Sequence, residues 1–516
     1  MADRCLKRIF ADRSGKLKEA ATLPFEFLNV GAINALYNRW SSTPRLERSG
    51  IPQTVRTTTV APPAPVSTQR KAAPKTRQEI KLLIDGQWYD CAGWAKAHPG
   101  GGIFIRLLHG RDATDVFYAL HSYGPNGADT AAVRLAKLPK CEAPEAAEGS
   151  AENTFRLPLA DSATAEIPGS ATPERDEHAK ELSMNFQEFR TKLENEGWFD
   201  RSVGQEIWAL AQVLGLCAVG SELAWNGHPW LATLSIGLGM EQAGWLGHDY
   251  IHGRGKWCEF MRLMPALING HGAGWWSEKH NLHHCFTNHE GLDRDVAMEP
   301  VFWLRSPDES GRADHPLRKF QHLYSVPMLA IVFWLWRYQS ARFFIRGQCA
   351  DGNPIKVDWV EVGAMVANYA WLATLPLPVA LGSVTLSGWL VGNLVTATHQ
   401  CEEIMPTDQA IGGFGPGGKG SAASGKTWAF DEFVDTQFRS TRDAECVFGP
   451  AETWLWGGMD TQLEHHLFPT MPRYKYHKLR PVLKKWADAH NAGYRISPST
   501  TILKDNWTTL RDVASV

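Results

Sequence analysis

WWSEKHNLHH, residues 275–284, places His280, His283 and His284 at i, i+3 and i+4. In an α-helix those positions share one face. Upstream, HDYIH sets His248 and His252 four residues apart, again on one helical face. Toward the end of the chain QLEHH, residues 462–466, repeats the first spacing with Gln462 in the leading position, followed by His465 and His466. A further histidine, His399, follows an apolar run in VTATHQ. Neutral imidazole is a good iron ligand, and a cluster this dense is hard to explain as packing. Seven clustered histidines plus His399 are enough for two metal ions, with iron favoured because zinc rarely needs so many ligands.

Whether these sets can meet depends on topology. Four stretches are apolar enough for a bilayer crossing of about 20 helical residues. They are Glu206–Trp225, Pro229–Gly247, and two within residues 359–398 divided near Pro376 and Pro378. The run Val326–Trp336 is shorter and suits the membrane interface. The links between paired spans, NGH and LPLPVALGS, carry no Lys or Arg, whereas the long outer segments are highly charged. The positive-inside rule then puts both termini and the long loops on the cytosolic or stromal side. Two crossings return the chain to that side at His248, and two more return it for His399 and His465. All the histidine sets therefore share one membrane face.

Composition agrees. The 516 residues suffice for more than one domain, and the net charge of −2 argues against nucleic-acid binding. The 22 tryptophans crowd into the later two thirds of the chain, as at a membrane interface. Nine scattered cysteines with no CxxC pair indicate neither a disulfide framework nor a zinc ribbon. MADRCLKRIF lacks the apolar core of a secretory signal. Residues 1–76 read as an extension, disordered or a transit segment, because Ser41–Lys75 is basic, Pro- and Ser/Thr-rich, with Glu47 its single acid.

Residues 77–140 form a compact unit with HPGG at His98–Gly101, then GRDATDVF and His121. The glycines permit a tight turn, and the apolar flanks would keep His98 dry. His109 stands between them outside the pattern. Residues 141–185 are too rich in Ala, Glu, Pro and Ser to bury a core, and read as a linker whose ~40 residues would span roughly 35 Å as a coil.

The set HxxxH, HxxHH, QxxHH over residues 186–490, with WWSEKHNLHH and HHLFPTMPR, resembles the membrane fatty acyl desaturases. Its glutamine resembles the front-end subfamily, which inserts a double bond between an existing one and the carboxyl end. The HPGG unit is similar to cytochrome b5, a fusion typical of that subfamily. The resemblance implies a mainly α fold, with a four-transmembrane-helix desaturase domain over 186–516 preceded by a small α+β haem domain. It implies haem b ligated axially by His98 and His121. It also implies two non-haem Fe ions on His248, His252, His280, His283, His284, His465 and His466, with His399 at a further ligand position of related desaturases.

The activity implied is O2-dependent introduction of a cis double bond, at Δ4, Δ5 or Δ6 for example, into a lipid acyl chain. The electron donor would be a cytochrome b5 reductase or a ferredoxin system. A sphingolipid long-chain-base desaturase or an acyl hydroxylase shares the iron boxes, and a haem electron carrier with a degenerate iron site is the alternative from another class. An integral, multi-pass position in the endoplasmic reticulum or a plastid membrane follows. His271 matches no family ligand and reads as structural, while Gln462 is expected to touch the iron site directly or through water. Asp249, Asp293, Asp295 and Glu464 are candidates to orient ligands. GSAASGKT, Gly420–Thr427, fits a phosphate-loop pattern but follows GGFGPGGKG rather than a strand, so a flexible loop is expected.

Overall fold

The computed structural model describes residues 79–144 except 99 and 122–129, residues 173–405 except 254, 290–291, 297, 300, 308–313 and 350–353, and residues 432–516. The extension 1–76 and the segment Gly420–Thr427 lie outside the described residues.

The haem-like unit begins with a hairpin. Strand β1 (Lys81–Ile84) pairs antiparallel with β2 (Gln87–Asp90) and parallel with the short β3 (Arg111–Asp112), in the order β2-β1-β3. Asp85 and Gly86, both at positive φ, make the two-residue turn between β1 and β2, as the hairpin twist requires. Two short helices, α1 (Ile103–Leu107) and α2 (Thr114–Leu120), pack on the sheet through Ile103, Phe104, Val116 and Ala119.

Helix α3 (Pro173–Asn195) starts well inside the stretch whose composition suggests a linker. Ala179, Leu182, Phe186, Phe189 and Leu193 recur every three or four residues and are all buried, which supplies the apolar stripe a helix needs. The stripe packs onto the aromatic residues of the C-terminal part, where Phe189 stacks on Trp486 and Phe186 lies against Phe468. On its other side α3 meets α2, where Ser183 and Gln187 both donate hydrogen bonds to the Asp115 carboxylate.

The remaining helices include α4 (Val203–Trp225), α5 (Pro229–His252), α6 (Ala273–Cys285), α7 (Val332–Arg346), α8 (Trp359–Ala373) and α9 (Leu377–Ala397). Among the described residues, α4 and α9 are long and apolar enough to cross a membrane by themselves. Helix α5 has the length but not the hydropathy, because it continues past Gly247 and every residue from Gly239 to His252, Glu241 and Gln242 included, is buried in protein. Helix α8 ends at Ala373, ahead of Pro376, and its 15 residues rise only about 22 Å. Val326–Trp336 does not stand as a separate helix. It belongs to a continuous helical run over 321–346 with Pro327 inside it.

Large apolar side chains nonetheless face outward on all four long segments: Trp208 and Val219 on α4, Trp230 and Leu234 on α5, Val366 on α8, and Leu381 on α9. Beyond them lie α10 (Phe433–Ser440), β4 (Asp443–Glu445), α11 (Gln462–Leu467), α12 (Tyr476–Ala489), β5 (Ile496–Pro498) and α13 (Ser499–Ser515), with β4 and β5 paired in parallel.

Burial raises the Asp115 carboxyl to about 7, against the pull of its bonds from Ser183 and Gln187. A raised carboxyl binds its proton more tightly in the folded chain, so its stabilising effect is complete below pH about 4 and is lost as pH rises through about 7. Asp115→Asn should flatten the pH dependence of stability across that window relative to the parent. The check is the thermal midpoint followed by haem absorbance at pH 5 and pH 7.5, and parallel pH curves for the two proteins would refute it.

Candidate haem and di-iron sites

In the N-terminal unit the His98 and His121 rings stand 5.9 Å apart, centroid to centroid. That leaves room for one metal ion bonded at about 2.0 Å to a nitrogen of each. Nδ1 of His98 lies 2.9 Å from the Gly101 carbonyl and Nδ1 of His121 lies 2.9 Å from the Phe117 carbonyl. A proton on Nδ1 shared with a carbonyl makes Nε2 the ligating nitrogen. The chain needs glycine at 102, because a Cβ there would sit 1.9 Å from the Ala95 carbonyl oxygen. His109 does other work, since its Nδ1 accepts from the Lys81 amide and so caps β1. The residues fit a bis-imidazole haem.

Every histidine of the three boxes, with His399, is buried in one cluster. The ligand atoms of His248, His280, His284 and His465 all lie within 4.8 Å of one another, and those of His283, His399 and His466 form a second such group. His252 stands beside the first group, its ring 4.4 Å from His284 and 5.0 Å from His280. The groups adjoin where His284 stacks on His466 at 4.2 Å. Burial first, then the neighbouring imidazoles, pushes His280, His284, His465 and His466 well below the ordinary histidine value. All four are therefore neutral bases, the form that ligates a metal. A donor set of neutral imidazoles in two adjoining groups fits two iron ions.

Gln462 lies in the second group. Its amide nitrogen is 2.9 Å from His399 Nε2 and 3.3 Å from His466 Nε2, while its oxygen, buried, has no hydrogen-bond partner among the described residues. Because amide O and N are interchangeable by a flip, the same position can present the oxygen to a cation.

Of the candidate acids, Asp293 meets a ligand: its Oδ2 is 2.8 Å from His283 Nδ1, with Asp295 further off. Burial lowers His283, but the Asp293 carboxylate more than offsets this and its proton affinity is raised. Asp249 pairs instead with Arg201 at 3.3 Å, and Glu464 accepts from Tyr494 at 2.9 Å. His271 sits in an aromatic cage 5.4 Å from Trp276 and 5.7 Å from Phe333, outside both groups.

Several supporting residues have no signature in sequence. Gln437 Oε1 is 2.8 Å from His466 Nδ1, and its Nε2 donates to the His284 carbonyl at 3.2 Å. His399 Nδ1 lies 3.0 Å from the Ser440 carbonyl, and Asn288 donates to the His399 carbonyl at 2.9 Å. Gln437 and Ser440 both lie on α10, which also touches α2 of the haem unit. Trp245 of α5 donates to the Leu455 carbonyl at 3.0 Å and packs over Gly457, where a Cβ would lie 2.0 Å from the indole. That close approach brings the first box against the third.

A haem-binding unit joined to two adjoining groups of buried imidazoles that fit iron defines the class of iron-dependent oxidoreductases. The family Fatty acid desaturase matches residues 225–498, and the family Cytochrome b5-like Heme/Steroid binding domain matches residues 68–134. This chain belongs to the fatty acid desaturase family, with the cytochrome b5-like domain fused ahead of the catalytic one.

Among its relatives, the Delta(6)-fatty-acid desaturase fat-3 of Caenorhabditis elegans is 26% identical over 446 residues, covering 82% of this chain and 93% of the worm protein. The acyl-lipid (9-3)-desaturase of Physcomitrium patens is 26% identical over 510 residues, covering 90% and 82%. The acyl-lipid 8-desaturase of Rebecca salina is 25% identical over 455 residues, covering 82% and 91%. No solved structure matches.

His98→Ala should abolish the six-coordinate b-type haem spectrum of the purified protein while non-haem iron content stays at the parent level. Joint loss of both metals would show that the two sites are not independent.

Proposed function

We propose that the chain is an O2-dependent front-end acyl desaturase in which His248, His280, His284 and His465, with His252 beside them, hold one iron. His283, His399 and His466, with Gln462, hold the other. The observation that carries this reading is the convergence of all seven box histidines and His399 into two adjoining buried groups. Bound there, the two irons supply activation of O2 for removal of two hydrogens from an acyl chain.

The protein's own residues fix the ligands. Asp293 keeps the proton on His283 Nδ1, Gln437 accepts the one on His466 Nδ1, and the Ser440 carbonyl accepts the one on His399 Nδ1, so each Nε2 faces the site. Trp276, whose ring lies 6.1 Å from His248 and from His280, walls the first group from water.

His98 and His121 hold the haem that passes electrons in. The substrate is an unsaturated acyl chain into which the double bond enters on the carboxyl side, and the acyl-lipid desaturases among the relatives favour a chain carried on lipid. Helices α4, α5, α8 and α9 form four membrane passes, with the second half of α5 buried in the protein beyond the bilayer core. The outward apolar side chains on all four support this, and Trp225 and Trp230, both exposed beside the α4–α5 turn, suit one interface. The membrane is that of the endoplasmic reticulum or a plastid, which a fluorescent fusion of the full chain distinguishes.

The test is expression in a host fed defined polyunsaturated acids, with new double bonds located by mass spectrometry. A product heavier by one oxygen would mark a hydroxylase, and a haem-replete protein without iron or product would mark an electron carrier. Gln462→Leu removes the polar partner from His399 and His466, and should lower desaturation by about 10–100-fold with the haem spectrum unchanged. Gln462→His keeps a donor at that position and should retain more activity than the leucine variant. Parent-level turnover by Gln462→Leu with normal iron content would refute the role given to this glutamine.

A further inference from the structure

The helix that carries the second histidine box is held at its start by side chains from other helices. The first amides of any helix lack partners within it. Helix α6 opens with Gly272 at its N-cap, then Ala273 and Gly274, none of which has a side chain able to accept from them. Gly272 N donates instead to Ser340 Oγ of α7 at 2.7 Å, and Gly274 N donates to Glu361 Oε1 of α8 at 2.7 Å. The glycines admit this approach. A Cβ on Gly272 would lie 2.8 Å from Glu361 Oε1, and one on Gly274 would lie 3.1 Å from Glu361 Oε2.

Glu361 is the first of a series along α8. Asn368 donates from Nδ2 to the carbonyls of Leu267 at 3.2 Å and Ile268 at 2.6 Å, and the Tyr369 hydroxyl donates to the Gly270 carbonyl at 3.2 Å. Glu361, Met365 and Asn368 are buried at i, i+4 and i+7, a single helical stripe, while Trp359, Val360 and Val366 face outward. A carboxylate and an amide are costly in an otherwise apolar membrane helix. Both are committed here to the segment that leads into α6.

Helix α6 is one element of 13 residues, so its three ligands move together. His280 and His284 belong to the first imidazole group and His283 to the second. A shift of α6 along or about its axis therefore misplaces ligands in both groups. We propose that Glu361 is a positioning residue for desaturation: from α8 it caps α6 and sets the register in which His280, His283 and His284 reach the two irons. This rests on the reading of the two imidazole groups as the iron site. The carboxylate suits the place, since the start of a helix is the positive end of its dipole.

The test compares Glu361→Gln, Glu361→Asp and Glu361→Leu in the full-length holoprotein reconstituted in nanodiscs. Glutamine keeps an acceptor oxygen at the same reach, aspartate keeps the charge but withdraws it by one methylene, and leucine keeps neither. The glutamine variant should stay within a few-fold of the parent kcat, with aspartate below it. Leucine should lose about 10–100-fold, because a misplacement of about 1 Å at a reacting centre can cost about 100-fold. KM for the acyl substrate should stay at the parent value. In the aspartate and leucine variants O2 consumed per double bond should rise and the Mössbauer spectrum of the non-haem iron should change, whereas glutamine should leave both as in the parent.

A role in folding alone would lower the yield of loaded protein but leave kcat per loaded iron, coupling and spectrum unchanged, and that result would overturn the proposal. A glutamine variant no better than aspartate would overturn it as well, and this comparison decides the matter even where Glu361→Leu fails to accumulate. Parent protein that holds haem but no other iron would sink the iron reading itself.

Discussion

Eight imidazoles can be buried together only if their charge is suppressed by burial or, as at His283, paired with a carboxylate. That constraint shapes the catalytic half of this protein. His466, His283 and His399 each direct Nδ1 at a fixed acceptor, Gln437, Asp293 and the Ser440 carbonyl. The acceptors come from separate parts of the chain, so the tautomers are set by tertiary packing rather than by the boxes themselves. Helix α10, only eight residues long, supplies two of the three.

The same constraint accounts for the departures from simple membrane helices. Helix α5 must pass its last turns, with His248 and His252, into the buried cluster, so its lower half carries Glu241, Gln242 and Asp249 and loses the hydropathy of a free-standing span. Glu241 is made tolerable by bonds from Trp245 at 2.7 Å and Gln242 at 2.9 Å. The Trp245 indole reaches on to the Leu455 carbonyl just ahead of the third box. Tethering of the first box to the third thus runs through a side chain of α5.

The histidine faces were legible because helical periodicity is local. HxxxH, HxxHH and QxxHH state their geometry within five residues, and the fold brings the three together. The haem pair was legible for a similar reason, since the glycines after His98 report a turn with no space for a side chain. What stayed hidden is non-local. Gln437 and Ser440 stand in TQFRS with nothing to mark them.

The acids show the limit clearly, because Asp293 and Glu464 look alike in sequence. The fold gives the first to His283 and the second to Tyr494. Helix α3 was legible in principle. Its stripe from Ala179 to Leu193 has helical spacing, but the polar residues between, close in composition to the sequence before them, concealed where the helix begins.

Joining the haem unit to the catalytic unit is also a packing result. A single apolar core runs from Ile84 and Phe104 in the haem unit through Phe186 and Phe189 of α3 to Leu463 and Phe468 around the third box. Helix α10 touches α2 of the haem unit and, through Gln437, holds His466. An electron donor on a flexible tether would reach the iron site by diffusion within its tether volume, and its rate would depend on linker length. Here α2 of the haem unit and His466 of the third box share one supporting helix, so the two units are held together by side-chain packing.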